Sequence, residues 1–206
     1  MVLLYSSLSL IAILLSFLSA ASSAGSTKSH VDTIDITGFA KCGLTTRWFT
    51  TQFEPFLKRF PVLPAGLNIT YHPLSSGFKK ENGSKVAVCE SGWLECQLSK
   101  LQSCSKKYSK NGSSTKLLLQ LACIQNKASL EKGIECLPKD KISERIEKCV
   151  KSDEGEKLFL AEPFPHNGSI SLPWIKINGV RSWEATKNFK NVVCGLASMK
   201  SKPGCL

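Results

Sequence analysis

The sequence predicts an α/β fold in which a small sheet is interrupted by a cysteine-rich helical insertion. Three observations carry this. An alternating β-branched run leads into an aromatic helical stripe, a second alternating strand follows, and a late strand is closed by Asn178-Gly179. A lysine- and cysteine-rich stretch separates the second strand from the third.

The first element is Val31-Asp32-Thr33-Ile34-Asp35-Ile36-Thr37-Gly38-Phe39, rich in β-branched residues and roughly alternating, as a strand requires. Phe49, Phe53, Phe56, Leu57 and Phe60 then recur at helical spacing and form one apolar stripe, which Pro55 is expected to kink. Leu67 to His72 alternates again after the loop Pro61 to Gly66 and predicts a second strand. In the insertion, helical patterns fall on Leu117 to Gln125 and Ile142 to Val150. Trp174-Ile175-Lys176-Ile177 precedes Asn178-Gly179, a strong short-range hairpin signal, and Phe189, Val192, Val193 and Leu196 predict a closing helix. The order strand–helix–strand, helical insertion, hairpin, helix is that of a thioredoxin-like fold with an inserted helical subdomain.

The expected organisation is a signal peptide over 1–24, a first half-domain over 25–78, the insertion over 79–160 and a second half-domain with its tail over 161–206. Met1 to Ala24 carry no charged side chain, and the apolar run Leu8 to Leu18 is shorter than the roughly 20 residues of a membrane span. The small residues Ser19 to Ala24 suit a signal-peptidase site, so the mature protein is expected to be secreted or lysosomal, without stable membrane insertion. Asn68, Asn82, Asn111 and Asn167 each open a glycosylation triplet. The net charge of +11 comes mostly from scattered lysines between Lys79 and Lys157. No basic run is interleaved with aromatics, so nucleic acid is not an expected partner and the lysines read as solvated helix faces.

Nine cysteines follow the signal segment. In an oxidising compartment they pair and leave one over, and eight paired cysteines allow 105 connectivities. Cys42 stands far upstream of Cys89, Cys96, Cys104, Cys123, Cys136, Cys149, Cys194 and Cys205, which makes it the odd one. It falls where the first strand enters the first helix. Unpaired N–H groups at a helix start favour a thiolate, and Lys41 and Arg47 add positive charge nearby. An unperturbed cysteine is only about 0.03% ionised at pH 5, so chemistry in an acidic compartment needs this help. Taken alone, the residue reads more readily as a buried free thiol; its exclusion from the cysteine cluster and its strand-to-helix setting bring the two readings level.

The chain resembles the gamma-interferon-inducible lysosomal thiol reductase family, whose signature is C-Q-H-G-x-x-E-C-x-x-N-x-x-x-x-C. Here Cys89, Gly92, Glu95, Cys96 and Cys104 stand at the matching positions, while Glu90, Ser91 and Ser99 depart from it. Leu172-Pro173-Trp174 through Asn178-Gly179 is similar to the family's V-P-W-x-x-x-N-G segment. Pro73 and Gly77 loosely match its P-x-G loop, and Cys194 with Pro203-Gly204-Cys205 matches its tail. The resemblance implies an active site at Cys42-Gly43-Leu44-Thr45, with Thr45 at the position of the missing resolving cysteine. Position 45 is expected near the surface, its hydroxyl a donor to the Cys42 sulfur. Pro173 is implied to be a cis proline beside that sulfur, with Leu172 facing substrate. Disulfide-containing proteins are the implied substrates, a small thiol the implied reductant, and neither a cofactor nor a metal is expected.

Two other readings stand beside this one. His30, His72 and His166 offer Cys42 a distant base, as in cysteine proteases, but no protease motif surrounds it. A secreted binding or trapping glycoprotein on the same fold is the alternative left by the loss of the second cysteine.

Overall fold

The computed structural model describes residues 30–109, 114–164 and 171–206. The signal segment, Asn111, His166 and Asn167 lie outside the described residues. The chain adopts the α/β, thioredoxin-like arrangement.

Strand β1 (Asp32–Gly38) is central, pairing in parallel with β2 (Leu67–Pro73) and antiparallel with β5 (Trp174–Ile177). The short β6 (Val180–Arg181) completes the order β2-β1-β5-β6. Parallel neighbours need a crossover, and here the aromatic helix supplies it. It runs as α1 (Gly43–Trp48), a π turn (Phe49–Phe53) and α2 (Glu54–Arg59). The irregularity expected at Pro55 takes the form of that π turn: proline lacks an N–H, and the widened turn immediately before it absorbs the lost bond. All five residues of the stripe are buried, packing with Ile34, Ile36, Ile69, Tyr71 and Phe189. The Asn178-Gly179 turn takes positive φ at both residues, as a two-residue hairpin turn requires.

Between β2 and β5 stands a second layer. It opens with a hairpin, β3 (Gly77–Glu81) and β4 (Ser84–Val88), to which the sequence reading gives no assignment. Five helices follow: α3 (Trp93–Tyr108), α4 (Thr115–Ile124), α5 (Leu130–Ile134), α6 (Lys141–Val150) and α7 (Asp153–Leu160). Their own core joins Leu98, Leu101, Ile124, Ile146 and Val150 around the Cys104–Cys149 disulfide. Helices α8 (Glu184–Lys187) and α9 (Phe189–Cys194) close the chain against the sheet. The remaining bridges are Cys89–Cys96, Cys123–Cys136 and Cys194–Cys205.

The helical layer grips the turn that follows β1. Asn126 N–H donates to the Ala40 carbonyl at 2.8 Å. The Gln125 amide donates to the Phe39 carbonyl at 2.9 Å and to Thr46 Oγ1 at 3.2 Å, and Gln102 backs it at 3.3 Å. Residues 39–46 are thereby fixed between sheet and insertion. Among the described residues, no helix is long and apolar enough to cross a membrane.

Candidate active site

Cys42 is the free cysteine among the described residues, partly exposed at the N-cap of α1. The turn is closed by its own N–H on the Phe39 carbonyl at 3.2 Å, while its carbonyl accepts from Thr46 N–H and Thr46 Oγ1, each at 2.9 Å. The Lys41 ammonium is engaged elsewhere, donating to the Lys127 carbonyl at 3.2 Å.

Thr45 departs from the sequence reading. It is fully buried, not superficial, because α1 presses this face against β1. Its hydroxyl has no hydrogen-bond partner among the described residues, so it is not a donor to the Cys42 sulfur. The side chain instead fills the space over Gly38.

Cys42 lines a cleft of about 660 Å³. Phe39, Leu44, Phe164 and Leu172 give it apolar walls, and Ser76, Glu90, Ser91, Glu95 and Ser171 its polar ones. The Leu172–Pro173 bond is cis, and Ser171 and Leu172, on its N-terminal side, line the same cleft as Cys42. Neither described histidine lines the cleft. His30 lies by Asp32, and His72 is held by Glu162 at 2.9 Å and faces Asp35 at 3.5 Å, so the cysteine-protease arrangement has no base among the described residues.

Of the signature residues, Glu95 is the one brought beside Cys42. Its buried carboxylate accepts from Glu90 N–H at 3.1 Å and Ser91 N–H at 3.3 Å, closing the start of α3 in the manner of a capping box. Burial holds this carboxyl above the usual range, outweighing those N–H groups, and the neighbouring Glu90 charge adds to the effect. Beneath the site, the Tyr71 hydroxyl donates to the Gly38 carbonyl at 3.0 Å. Burial pushes that phenol well up, with Glu162, Cys42 and Glu95 contributing in the same direction. Cys89 and Cys96 pair with each other behind the Glu90–Ser91 rim, and Cys104 pairs with Cys149 inside the helical core. Asn68 and Asn82 are both exposed.

Sequence reasoning does not single out Phe164 and Ser76 as parts of the cleft, nor Arg181 beside it. Phe164 belongs to no motif, and Ser76 sits inside the Pro73–Gly77 loop at a position that match does not fix. The signal for Arg181 is weak because its partners are backbone carbonyls.

Comparison with known proteins agrees with this arrangement. Residues 33–152 match the family described as gamma interferon inducible lysosomal thiol reductase (GILT). A GILT-like protein of Caenorhabditis elegans is 28% identical over 171 residues, covering 78% of this chain and 51% of its own. A gamma-interferon-inducible lysosomal thiol reductase of Carassius auratus is 26% identical over 159 residues, covering 71% of this chain and 62% of its own. The match thus spans about half to three-fifths of those two relatives. A second C. elegans GILT-like protein is 26% identical over 196 residues, with 88% of both chains aligned. With a partly exposed free cysteine at the strand-to-helix junction, a cis proline next to the cleft-lining Leu172 and a family match over more than half its length, the chain belongs to the gamma-interferon-inducible lysosomal thiol reductase family.

Proposed function

We propose that this chain is a thiol–disulfide oxidoreductase of the lysosomal thiol reductase type, working through the single nucleophile Cys42. The observation that supports it most is Cys42 itself: unpaired, partly exposed, and set in a cleft that Leu172, the residue before cis-Pro173, also lines. In the first step the Cys42 thiolate attacks one sulfur of a protein disulfide. A Cys42–substrate S–S bond forms, the substrate S–S bond breaks, and the departing thiolate takes a proton from solvent. Thr45 cannot attack the mixed disulfide. A small thiol therefore does so, freeing Cys42 and becoming joined to the substrate, and a second equivalent releases the substrate as a dithiol. Two small thiols are oxidised to one disulfide for each substrate disulfide reduced. Where the substrate's own second cysteine attacks instead, the net result is rearrangement.

The proposed setting is the lumen of the secretory pathway or lysosome, entered by a signal peptide over 1–24, with glycans on Asn68, Asn82, Asn111 and Asn167. Four disulfides in the structure support an oxidising environment. The test is insulin-disulfide reduction at acid and neutral pH with a small thiol, comparing wild type with Cys42→Ala. Loss of the enzyme-dependent rate in the variant is expected. Equal rates in both would overturn the proposal, and mixed disulfides that persist through excess small thiol would identify a covalent trapping protein.

A further inference from the structure

Arg181, the last residue of β6, packs its guanidinium against two indoles that meet edge-on at 63°. Its Cζ is 4.5 Å from the Trp174 ring centre and 4.3 Å from that of Trp183. Its two Nη groups bond to backbone, while Nε has no hydrogen-bond partner among the described residues. Nη1 donates to the Ile175 carbonyl at 3.1 Å, and Nη2 to the carbonyls of Pro173 at 3.2 Å and Ser171 at 3.3 Å. These contacts fall on the segment that carries Ser171 and Leu172, both of which line the cleft with Cys42.

The geometry constrains Leu172 in particular. In a trans peptide the C=O and N–H point to opposite sides, so a Ser171 carbonyl turned toward Arg181 turns the Leu172 N–H away from it. The Pro173 carbonyl fixes the next trans unit, and the cis Leu172–Pro173 unit between them is held at both ends. Lysine could not do this. Three carbonyl acceptors at fixed angles match a planar fork of donors, which a compact ammonium does not present.

We propose that Arg181 is a positioning residue for substrate capture: it holds the Ser171–Pro173 segment so that the Leu172 backbone meets an extended peptide lying across Cys42. This rests on the thiol–disulfide reading above and adds to it a demand for extended polypeptide rather than small disulfides. A small disulfide reaches Cys42 without touching that backbone, so its reaction does not depend on Arg181.

The test compares wild type with Arg181→Lys and Arg181→Met, the latter keeping bulk against the indoles. Three rates at Cys42 are measured: alkylation by iodoacetamide, exchange with cystamine, and exchange with an extended peptide disulfide. In both variants the peptide reaction is expected to slow by about tenfold or more, with a raised half-saturating concentration, because small misplacements at a reacting centre are costly. The other two rates are expected to stay within about twofold, since neither reagent needs the platform. Unchanged peptide exchange overturns the assignment. A parallel fall in all three rates with a lowered Tm also overturns it, reducing Arg181 to a fold-stabilising residue. Backbone hydrogen exchange over residues 171–175 decides independently. It is expected to rise in Arg181→Met while β1 stays protected, and unchanged protection refutes the proposal. A wild type that is alkylated yet exchanges with neither disulfide would sink the thiol–disulfide reading instead, leaving the exchange measurement to judge Arg181.

Discussion

Thr45 and Gly38 share one close contact: a Cβ placed on Gly38 would lie 2.5 Å from Thr45 Cγ2 and 2.8 Å from its hydroxyl oxygen. The glycine at the end of β1 exists so that α1 can lie against the strand with a side chain at position 45 between them. Gly38→Ala is therefore expected to cost about 1–3 kcal/mol of stability through overpacking, read by thermal or denaturant unfolding. A change below about 0.5 kcal/mol would mean that α1 shifts freely, and the description of a fixed Cys42 turn would fail.

The same contact bears on restoring the missing thiol. Thr45→Cys replaces a buried hydroxyl, unpartnered among the described residues, with a sulfur of similar volume one helical turn from Cys42. The variant is expected to fold, to form a disulfide between Cys42 and the introduced thiol, and to release substrate without added thiol on non-reducing gels. A folded variant that forms no such bond and gains no insulin-reducing rate would show that the site has left redox chemistry.

Glu95 sets a pH dependence whose sign follows from its burial. Its folded carboxyl is held above the ordinary value of about 4.3, so the folded state retains a proton that the unfolded chain releases. Its contribution is fully present below that ordinary value and is lost as pH rises through the higher folded one. Glu95→Gln should raise the Tm at pH 7 relative to the Tm at pH 4. A relative fall, or no change, contradicts the assignment.

Asp32 works in the opposite sense. Burial raises its carboxyl, but hydrogen bonds from Ser198 and the Asn178 amide outweigh this and hold it below the usual range. Asn178 donates to Asp32 Oδ1 at 2.8 Å and accepts from Thr33 N–H at 2.8 Å, stitching the hairpin turn to the start of β1. The stability Asp32 confers is present above the unfolded value of about 3.9 and is lost as pH falls through the folded one. Asn178→Ala removes both contacts and is expected to cost about 1–3 kcal/mol at neutral pH. It should also flatten the acid limb of the stability profile, and an unaltered limb would refute this account.

The Cys104–Cys149 bridge closes 45 residues of the helical layer, a loop long enough for the crosslink to contribute about 4 kcal/mol by restricting the unfolded chain. Cys104→Ala with Cys149→Ala should lower stability by that order. A loss under about 1 kcal/mol would show that helical packing alone holds the layer.

Much of the sheet is legible in the sequence because its residues obey one rule each. Ile34 and Ile36 alternate in β1, the phenylalanines repeat at helical spacing, and Asn178-Gly179 marks its hairpin. The same dipeptide at Asn82-Gly83, with φ of 48° and 80°, turns the β3–β4 hairpin, yet in the sequence it registers only as a glycosylation triplet. Its flanks explain the omission, since Lys79, Lys80 and Glu81 are exposed and show no apolar alternation. Helix α3 is hidden for the converse reason. Glu95, Ser99, Gln102, Ser103 and Ser105 are polar but buried, and the stripe Leu94, Leu98, Leu101 and Tyr108, though at helical spacing, goes unread beside them. At the cleft, Cys42 stands out by its isolation. The depth of Thr45 and the grip of Arg181 depend on a close glycine contact and on carbonyl directions, which residue types do not encode.

On the proposed mechanism this protein works among the very reagents that dismantle disulfides, so the placement of its own bridges sets its chemical durability. Thiolate attack needs a path to sulfur. Cys104 and Cys149 are 0% and 1% exposed, whereas Cys123 faces solvent and Cys136 is half-buried. Under rising thiol the Cys123–Cys136 bridge is the first to go, and the long-loop bridge yields only when the helical layer opens. The crosslink that matters most to the fold is thereby shielded from the chemistry practised in the cleft.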